Sequence, residues 1–242
     1  MKASVWEQRT ERAAQLASTH TAAAGLLAFY SVIASFQQHV YGRLAPTDQS
    51  VLAFFPELLA LVGRTGPPAL ADRARQLMQR PETWEALLSN DAQDAADIFF
   101  TRAISQPFME YRASQAGPIA AEVRSTCPFC GSKPVVAVLR GAGDGGKRSL
   151  VCSLCSIEWT FRRILCPSCN EEDREKLPVL SAAEFDHIRI EACDTCRTYI
   201  KCVDLTKDGL AVPIVDDIAT VALDLWAEEH GYTKLQPNLL SL

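Results

Sequence analysis

The sequence predicts a mixed α+β protein: an N-terminal helical bundle, two small metal-closed modules of short antiparallel strands, and a C-terminal helix. Three observations lead there. All nine cysteines fall between Cys127 and Cys202, so the stabilising chemistry changes along the chain. Up to the region of Gly117 and Pro118, apolar residues recur every three or four positions, the period of a helix. Beyond it the period shortens to two, the mark of half-buried strands, until helical spacing returns after Val212 and Pro213.

The segment from Ala22 to Ala34 is apolar but shorter than a membrane span, and it runs on into Gln37, Gln38 and His39, so it reads as a core helix. Leu26, Phe29, Tyr30, Ile33, Phe36 and Val40 form its inward face. Breaks at Pro46, at Gly66 with Pro67 and Pro68, and at Pro81 divide the bundle, and Pro81 suits the first turn of a helix through Trp84, Leu87 and Leu88. A further helix spans about Ala92 to Arg112, with Pro107 expected to interrupt or kink it. The strands read as "KPVVAVLR", "RSLVC", "SIEWTFRRIL", "FDHIRIEAC" and "RTYIKCVDL". The glycine-rich stretch from Gly141 to Gly146 lacks the lysine and hydroxyl ending of a phosphate loop and reads as a hairpin tip. In the last helix Ile218, Val221, Ala222, Leu225 and Trp226 form the apolar stripe, Asp216 or Asp217 caps the start, and Gly231 ends it. The expected divisions are residues 1–120 for the helical domain, 121–163 and 164–206 for the two modules, and 207–242 for a C-terminal helix docked on the rest.

A composition 48% hydrophobic supports a true core, and a formal charge of −5 shows no basic surplus for phosphate backbones or anionic lipid. Glu7, Arg9, Glu11 and Arg12 interrupt the apolar run that an export signal needs. The expectation is a cytoplasmic protein without membrane insertion. In a reducing compartment nine cysteines point to metal ligation or thiol chemistry rather than to disulfides.

Eight of the nine form four C-x-x-C pairs, and two such pairs complete one tetrahedral site. "CPFCG" and "CPSCN" share a proline after the first cysteine and a residue tolerant of positive φ, Gly131 or Asn170, after the second; "CSLCS" and "CDTCR" share neither. The spacings repeat, with 21 residues between Cys130 and Cys152 and 23 between Cys169 and Cys193. The expected ligand sets are therefore Cys127, Cys130, Cys152 and Cys155 for one ion, and Cys166, Cys169, Cys193 and Cys196 for the other. An interleaved cross-brace is the competing arrangement. Four thiolates suit zinc or a single iron, with an iron–sulfur cluster as a third option, and "CPFCG" resembles a rubredoxin knuckle. The modules are thus rubredoxin-like or zinc-ribbon in kind, with two metal ions per chain, Fe or Zn.

The four knuckles after a helical region, "EACDTCRTYIK" from Glu191 to Lys201, "PIVDDIATVALDLWAEEHGY" from Pro213, and "FFTRAISQP" from Phe99 to Pro107 together resemble the formate dehydrogenase accessory protein family, FdhE. The match is good over about 120 to 240 and loose before it. The resemblance implies a cytoplasmic, rubredoxin-like maturation factor that is not itself an enzyme. It would bind the catalytic subunit of a respiratory formate dehydrogenase, often ahead of export through the twin-arginine pathway. The family's cysteines map onto the eight named above. Two departures are a short N-terminal region and a cysteine at position 202. A homodimer stays open.

The remaining candidates have plainer readings. Cys202 stands six residues after Cys196, as Phe161 stands six after Cys155, so a core thiol is expected rather than a ninth ligand. His187 is not needed as a ligand, and His20, His39 and His230 have no acidic or cysteine partner nearby in sequence. Asp216 and Asp217 are read as caps before acid–base or partner-contact groups, and Tyr199 and Lys201 as an ordinary strand or part of a partner surface. Arg102 and Gln106 face the modules, a client peptide or solvent. Two functional rivals stand beside the maturation factor: a rubredoxin-like redox protein or thiol oxidoreductase, and a nucleic-acid-binding zinc ribbon. Over residues 127–206 eleven basic and eleven acidic side chains cancel, and eight thiolates with two divalent ions then leave −4, a poor partner for phosphate. No catalytic motif is present, which argues for a non-enzyme.

Overall fold

The computed structural model describes residues 4–44, 50–89, 94–117, 123–142 and 145–241. Pro46, Pro118, the expected start at Ala92 and the tip of the glycine-rich hairpin lie outside them. Among the described residues six α-helices form the N-terminal half: α1 (Val5–Thr19), α2 (Ala24–Arg43), α3 (Phe55–Thr65), α4 (Pro68–Met78), α5 (Trp84–Ser89) and α6 (Ala95–Gln115). A capping box starts α1, where Ser4 Oγ accepts the Glu7 N–H and the Glu7 carboxylate accepts the Ser4 N–H. Pro81 opens a 3₁₀ turn, Pro81–Thr83, that leads into α5. Phe29 stacks on Phe99, and Phe55 meets Trp84 and Phe100 edge-on, so aromatic packing joins α2, α3, α5 and α6.

Of the two outcomes expected at Pro107, an interruption does not occur: α6 continues through it as one helix. Proline cannot donate to the carbonyl four residues back, that of Ala103, and the buried Gln37 amide of α2 donates there instead at 2.9 Å. A side chain from a neighbouring helix supplies the bond that proline removes.

Among the described residues seven strands follow: β1 (Pro134–Ala142), β2 (Gly145–Cys152), β3 (Glu158–Thr160), β4 (Val179–Ser181), β5 (Ile188–Cys193), β6 (Thr198–Asp204) and β7 (Thr233–Lys234). The hairpin β1–β2 with β3, and the hairpin β5–β6 with β4, are the two antiparallel modules. They do not stand apart, because β1 and β6 pair in parallel (Ala137 opposite Cys202, Val138 opposite Val203), giving one sheet of order β3-β2-β1-β6-β5-β4. At three and two residues, β4 and β7 are too short to show a period in the sequence.

Alternate residues of β1 and β6 feed two cores. Val136, Val138, Tyr199 and Val203 pack with Leu223 and Ala227 on one face; Ala137, Leu139, Ile200 and Cys202 pack with Trp159, Phe161 and Leu235 on the other. The C-terminal region is two helices rather than one, α7 (Pro213–Ala219) and α8 (Val221–Glu229). The break at Thr220 is made by side chains: its hydroxyl donates to the Asp216 carbonyl at 2.9 Å, and Lys201 reaches the Asp217 carbonyl. Consequently α7 turns Val215 and Ile218 into the helical core while α8 covers the sheet. Gly231 (φ +76°) ends α8 as expected.

Candidate metal centres

The eight paired cysteines converge in two groups of four, and they do so sequentially: Cys127, Cys130, Cys152 and Cys155 in one, Cys166, Cys169, Cys193 and Cys196 in the other. Within each group the sulfurs lie within 4.8 Å of one another. The nearer pairs are Cys130–Cys152 at 3.3 Å, Cys127–Cys155 at 3.5 Å, and Cys166–Cys196 and Cys169–Cys193 at 3.7 Å. A tetrahedron with metal–sulfur bonds of ~2.3 Å has edges of ~3.8 Å. Either group could therefore hold one tetrahedral ion with little movement.

Local backbone explains the shape. After the second cysteine of every knuckle the chain takes positive φ: Gly131 at 76°, Ser156 at 57°, Asn170 at 62° and Arg197 at 58°. The sequence marks only Gly131 and Asn170 for this; Ser156 and Arg197 adopt it because the turn demands it. The reversal lets the Gly131, Asn170 and Arg197 N–H groups donate to the carbonyls of Cys127, Cys166 and Cys193. Further N–H groups point at sulfur, from Leu154 to Cys152 and from Ser168 to Cys166. Sulfurs ringed by backbone donors are suited to carry negative charge.

As thiols, the sulfurs of the first group would conflict. Cys130 is drawn far below the ordinary thiol range, first by its hydrogen bond with Cys127. The bond with Cys130 raises Cys127, but those with Cys152 and Cys155 outweigh it and bring Cys127 down to about 7. Sharing with Cys127 and Cys130 pushes Cys152 and Cys155 upward. A divalent cation resolves the conflict by replacing the protons.

The surroundings differ between the centres. The first is fastened to the helices: Arg9 of α1 ion-pairs with Glu110 of α6 at 2.9 Å, and both bond the Ser156 hydroxyl. Gln106 donates to the Ser153 carbonyl and Trp159 to that of Arg124. In the second, Cys169 is exposed. A metal chelator should therefore empty the second centre well before the first, giving two resolved phases of metal release from reduced protein in a colorimetric chelator assay; a single phase would count against this.

Other candidates are placed as follows. Cys202 is fully buried in the sheet core, with burial raising its thiol pKa, and is not among either sulfur group. Cys202→Ala should leave metal content at its wild-type value and cost about 1 kcal/mol through a small cavity, as read by elemental analysis and thermal unfolding. His187 pairs with Asp216 at 2.9 Å rather than with a sulfur. Asp216 supports the start of α7 from within, accepting the Val212 N–H at 2.8 Å, and also binds Arg12 of α1, which reaches Asp208 at 2.6 Å. His187, Asp208 and Asp216 lie close enough to resemble a metal set, but the Arg12 guanidinium already pairs with both carboxylates.

Asp217 caps nothing. It is wholly buried with Lys201, Lys234, Asp224, Tyr199 and Asn238 in one network: Lys201 contacts Asp224 at 2.6 Å and Asp217 at 3.1 Å, Lys234 contacts Asp217 at 2.9 Å, and Tyr199 donates to Asp224 at 2.8 Å. Tyr199 and Lys201 are thus core groups, not a partner surface. Arg102 donates to the Pro237 carbonyl and Gln106 to the ribbon, so neither faces open solvent alone. Among the described residues no helix is long and apolar enough to cross a membrane.

The fold and the sulfur groups together define the class: a helical bundle carrying two four-cysteine ribbons on a shared sheet. The family model described as the FdhE central domain matches residues 126–163, and the FdhE C-terminal domain model matches 164–241. A protein FdhE homolog of Aquifex aeolicus is 36% identical over 197 residues, covering 78% of this chain and 69% of the relative. One from Pseudomonas aeruginosa is 35% identical over 208 residues, covering 78% and 67%. The crystal structure of the FdhE protein from Pseudomonas aeruginosa superposes with a TM-score of 0.78 at 29% identity, covering 100% of this chain and 98% of that one. The chain belongs to the FdhE family.

Proposed function

We propose that the chain is a non-enzymatic maturation factor that binds the catalytic subunit of a respiratory formate dehydrogenase in the cytoplasm, its eight paired cysteines holding two ions of iron or zinc. The observation that carries this reading is the closure of both sulfur groups. Four protein ligands around each ion leave no position for substrate or an activating water, which suits a structural or sensing metal rather than hydrolysis. Membership of the FdhE family, the formate dehydrogenase accessory proteins that the sequence motifs resemble, supports formate dehydrogenase as the client. Bound metal here would supply cross-linking of each ribbon and, if iron, one-electron chemistry. The protein's own residues position the sulfurs and brace the first knuckle against α1 and α6.

The test is affinity capture from the native host with mass spectrometry, alongside metal analysis of anaerobically purified protein. Recovery of a formate dehydrogenase catalytic subunit with two metals per chain is expected; failure to recover it counts against the assignment. A second reading, a rubredoxin-like electron carrier, is favoured by the exposure of Cys169. Reversible iron redox cycling with turnover against an electron donor would move the assignment there. Tight, salt-sensitive binding of DNA or RNA would favour the nucleic-acid rival.

A further inference from the structure

Beside the second centre lies a groove of about 440 Å³ whose wall includes Cys166 and Cys193. Arg148, Arg163, Arg174 and Arg189 line it, against a single carboxylate, Glu191. Glu191 is engaged by both inner arginines, at 2.7 Å from Arg148 and 2.6 Å from Arg189. Arg163 and Arg174 are exposed, and their side chains make no hydrogen bond or ion pair among the described residues. Of the carboxylates in the adjoining loop, Glu172 turns to Arg162, Glu171 to Thr195 and Asp173 to Lys176, while Glu175 is exposed beside Arg174. Four arginines against one carboxylate give the lining an excess of three positive charges, which four thiolates around a divalent ion at the adjoining centre, −2 together, would reduce to one; the positive charge left open to a ligand is that of Arg163 and Arg174.

The same groove is partly apolar. Ile164 and Val179 are 45% and 55% exposed there. Val179 begins β4, which ends the strand order of the sheet, and among the described residues no strand pairs with its outer edge. An open edge offers main-chain hydrogen bonds to an extended segment, and alternating pockets and charges select its side chains.

We propose that this groove binds an extended acidic peptide segment of a protein partner, with alternating carboxylate and apolar side chains, laid along β4 so that its carboxylates meet Arg163 and Arg174. The proposal rests on the client-binding reading and names the surface that performs it. Charge complementarity selects the occupant: a basic segment would be repelled, and a small anion would leave the apolar wall and the open edge unused.

Fluorescence anisotropy of the full, metal-loaded chain with a fluorescein-labelled peptide of alternating Glu and Val tests it, with the Lys and Val counterpart as comparison. The acidic peptide should bind with an affinity that falls as salt rises, and the double variant Arg163→Glu with Arg174→Glu should weaken it roughly tenfold or more. Arg80→Glu, on the helical bundle, should leave it unchanged. Equal binding of the basic peptide, no effect of the double variant, or full displacement by inorganic phosphate would each overturn the proposal, the last by assigning the groove to a small anion. Capture separates the two levels. If wild type and double variant both retain the formate dehydrogenase catalytic subunit, the groove proposal falls and the client reading stands. If the wild type captures none, the client reading falls, and the peptide titration still decides the groove.

Discussion

Cys152→Ser should halve the metal content, from two ions per chain to one, and unfold the first ribbon while the second keeps its ion. Cys152 is wholly buried at the end of β2, its N–H donates to the Ile157 carbonyl at 2.9 Å, and its sulfur accepts the Leu154 N–H. It belongs to the strand and to the sulfur group at once. Structural zinc is worth about 10–16 kcal/mol of folding free energy in small metal-held peptides, while whole domains are stable by only about 5–15 kcal/mol. A weakened centre thus exceeds what β1, β2 and β3 can make up by packing. Loss should spread through the parallel pairing of β1 with β6. Elemental analysis with hydrogen exchange on β1 and β2 reads the outcome, and Cys202→Ala serves as the control that keeps both ions. Retention of two ions by Cys152→Ser would show that this sulfur group is not a ligand set.

The second large effect is expected at a residue far from any sulfur. Asp217→Ala should destabilise the chain by about 3–5 kcal/mol, because it leaves Lys201 and Lys234 with one buried carboxylate between them and removes the Asn238 hydrogen bond to Asp217. Adding Lys201→Met should return part of that loss, since Lys234 and Asp224, 3.1 Å apart, then form a neutral pair. Burial by itself would raise the Asp217 pKa, but the ammoniums of Lys201 and Lys234 outweigh it and hold the carboxyl below its usual 3.8. A depressed carboxylate contributes its full stability above the unfolded value and loses it as pH falls through the folded one. Wild type should therefore lose this contribution only below about pH 4, and Asp217→Ala should show a shallower acid limb in denaturant titrations. An unchanged limb would sink the assignment.

These two effects sit differently in the sequence. Four C-x-x-C pairs are visible as spacing, because a metal needs ligands at fixed intervals in a turn whatever surrounds them. Their sequential grouping follows from near-equal gaps of 21 and 23 residues, and the structure brings together the same two sets. Helix existence was equally plain in α2 and α6, where apolar spacing runs for several turns, whereas the start of the chain was read only for its charges. Asp217 looked like a cap because acidic residues before a helix usually are. What made it a core group lies in three other elements: Lys201 on β6, Asp224 on α8 and Lys234 on β7. The stretch around "TYIK" and that around "VDDIATVALD" carry meaning only as a pair.

The same holds for Pro107, whose break is mended by Gln37 seventy residues upstream, and for the left-handed Ser156 and Arg197, residue types that give no hint of positive φ. Composition, period and cysteine spacing determined the α+β class, the helical half and the two groups of four sulfurs, since each depends on residues close together in the chain. Tertiary structure decided that the two ribbons share one sheet through β1 and β6, that the tail splits at Thr220 to serve two cores, and that four arginines from β2, β5 and the loops after β3 and the third knuckle face one groove. Those outcomes depend on burial and charge pairing between segments far apart in sequence, which local pattern does not encode.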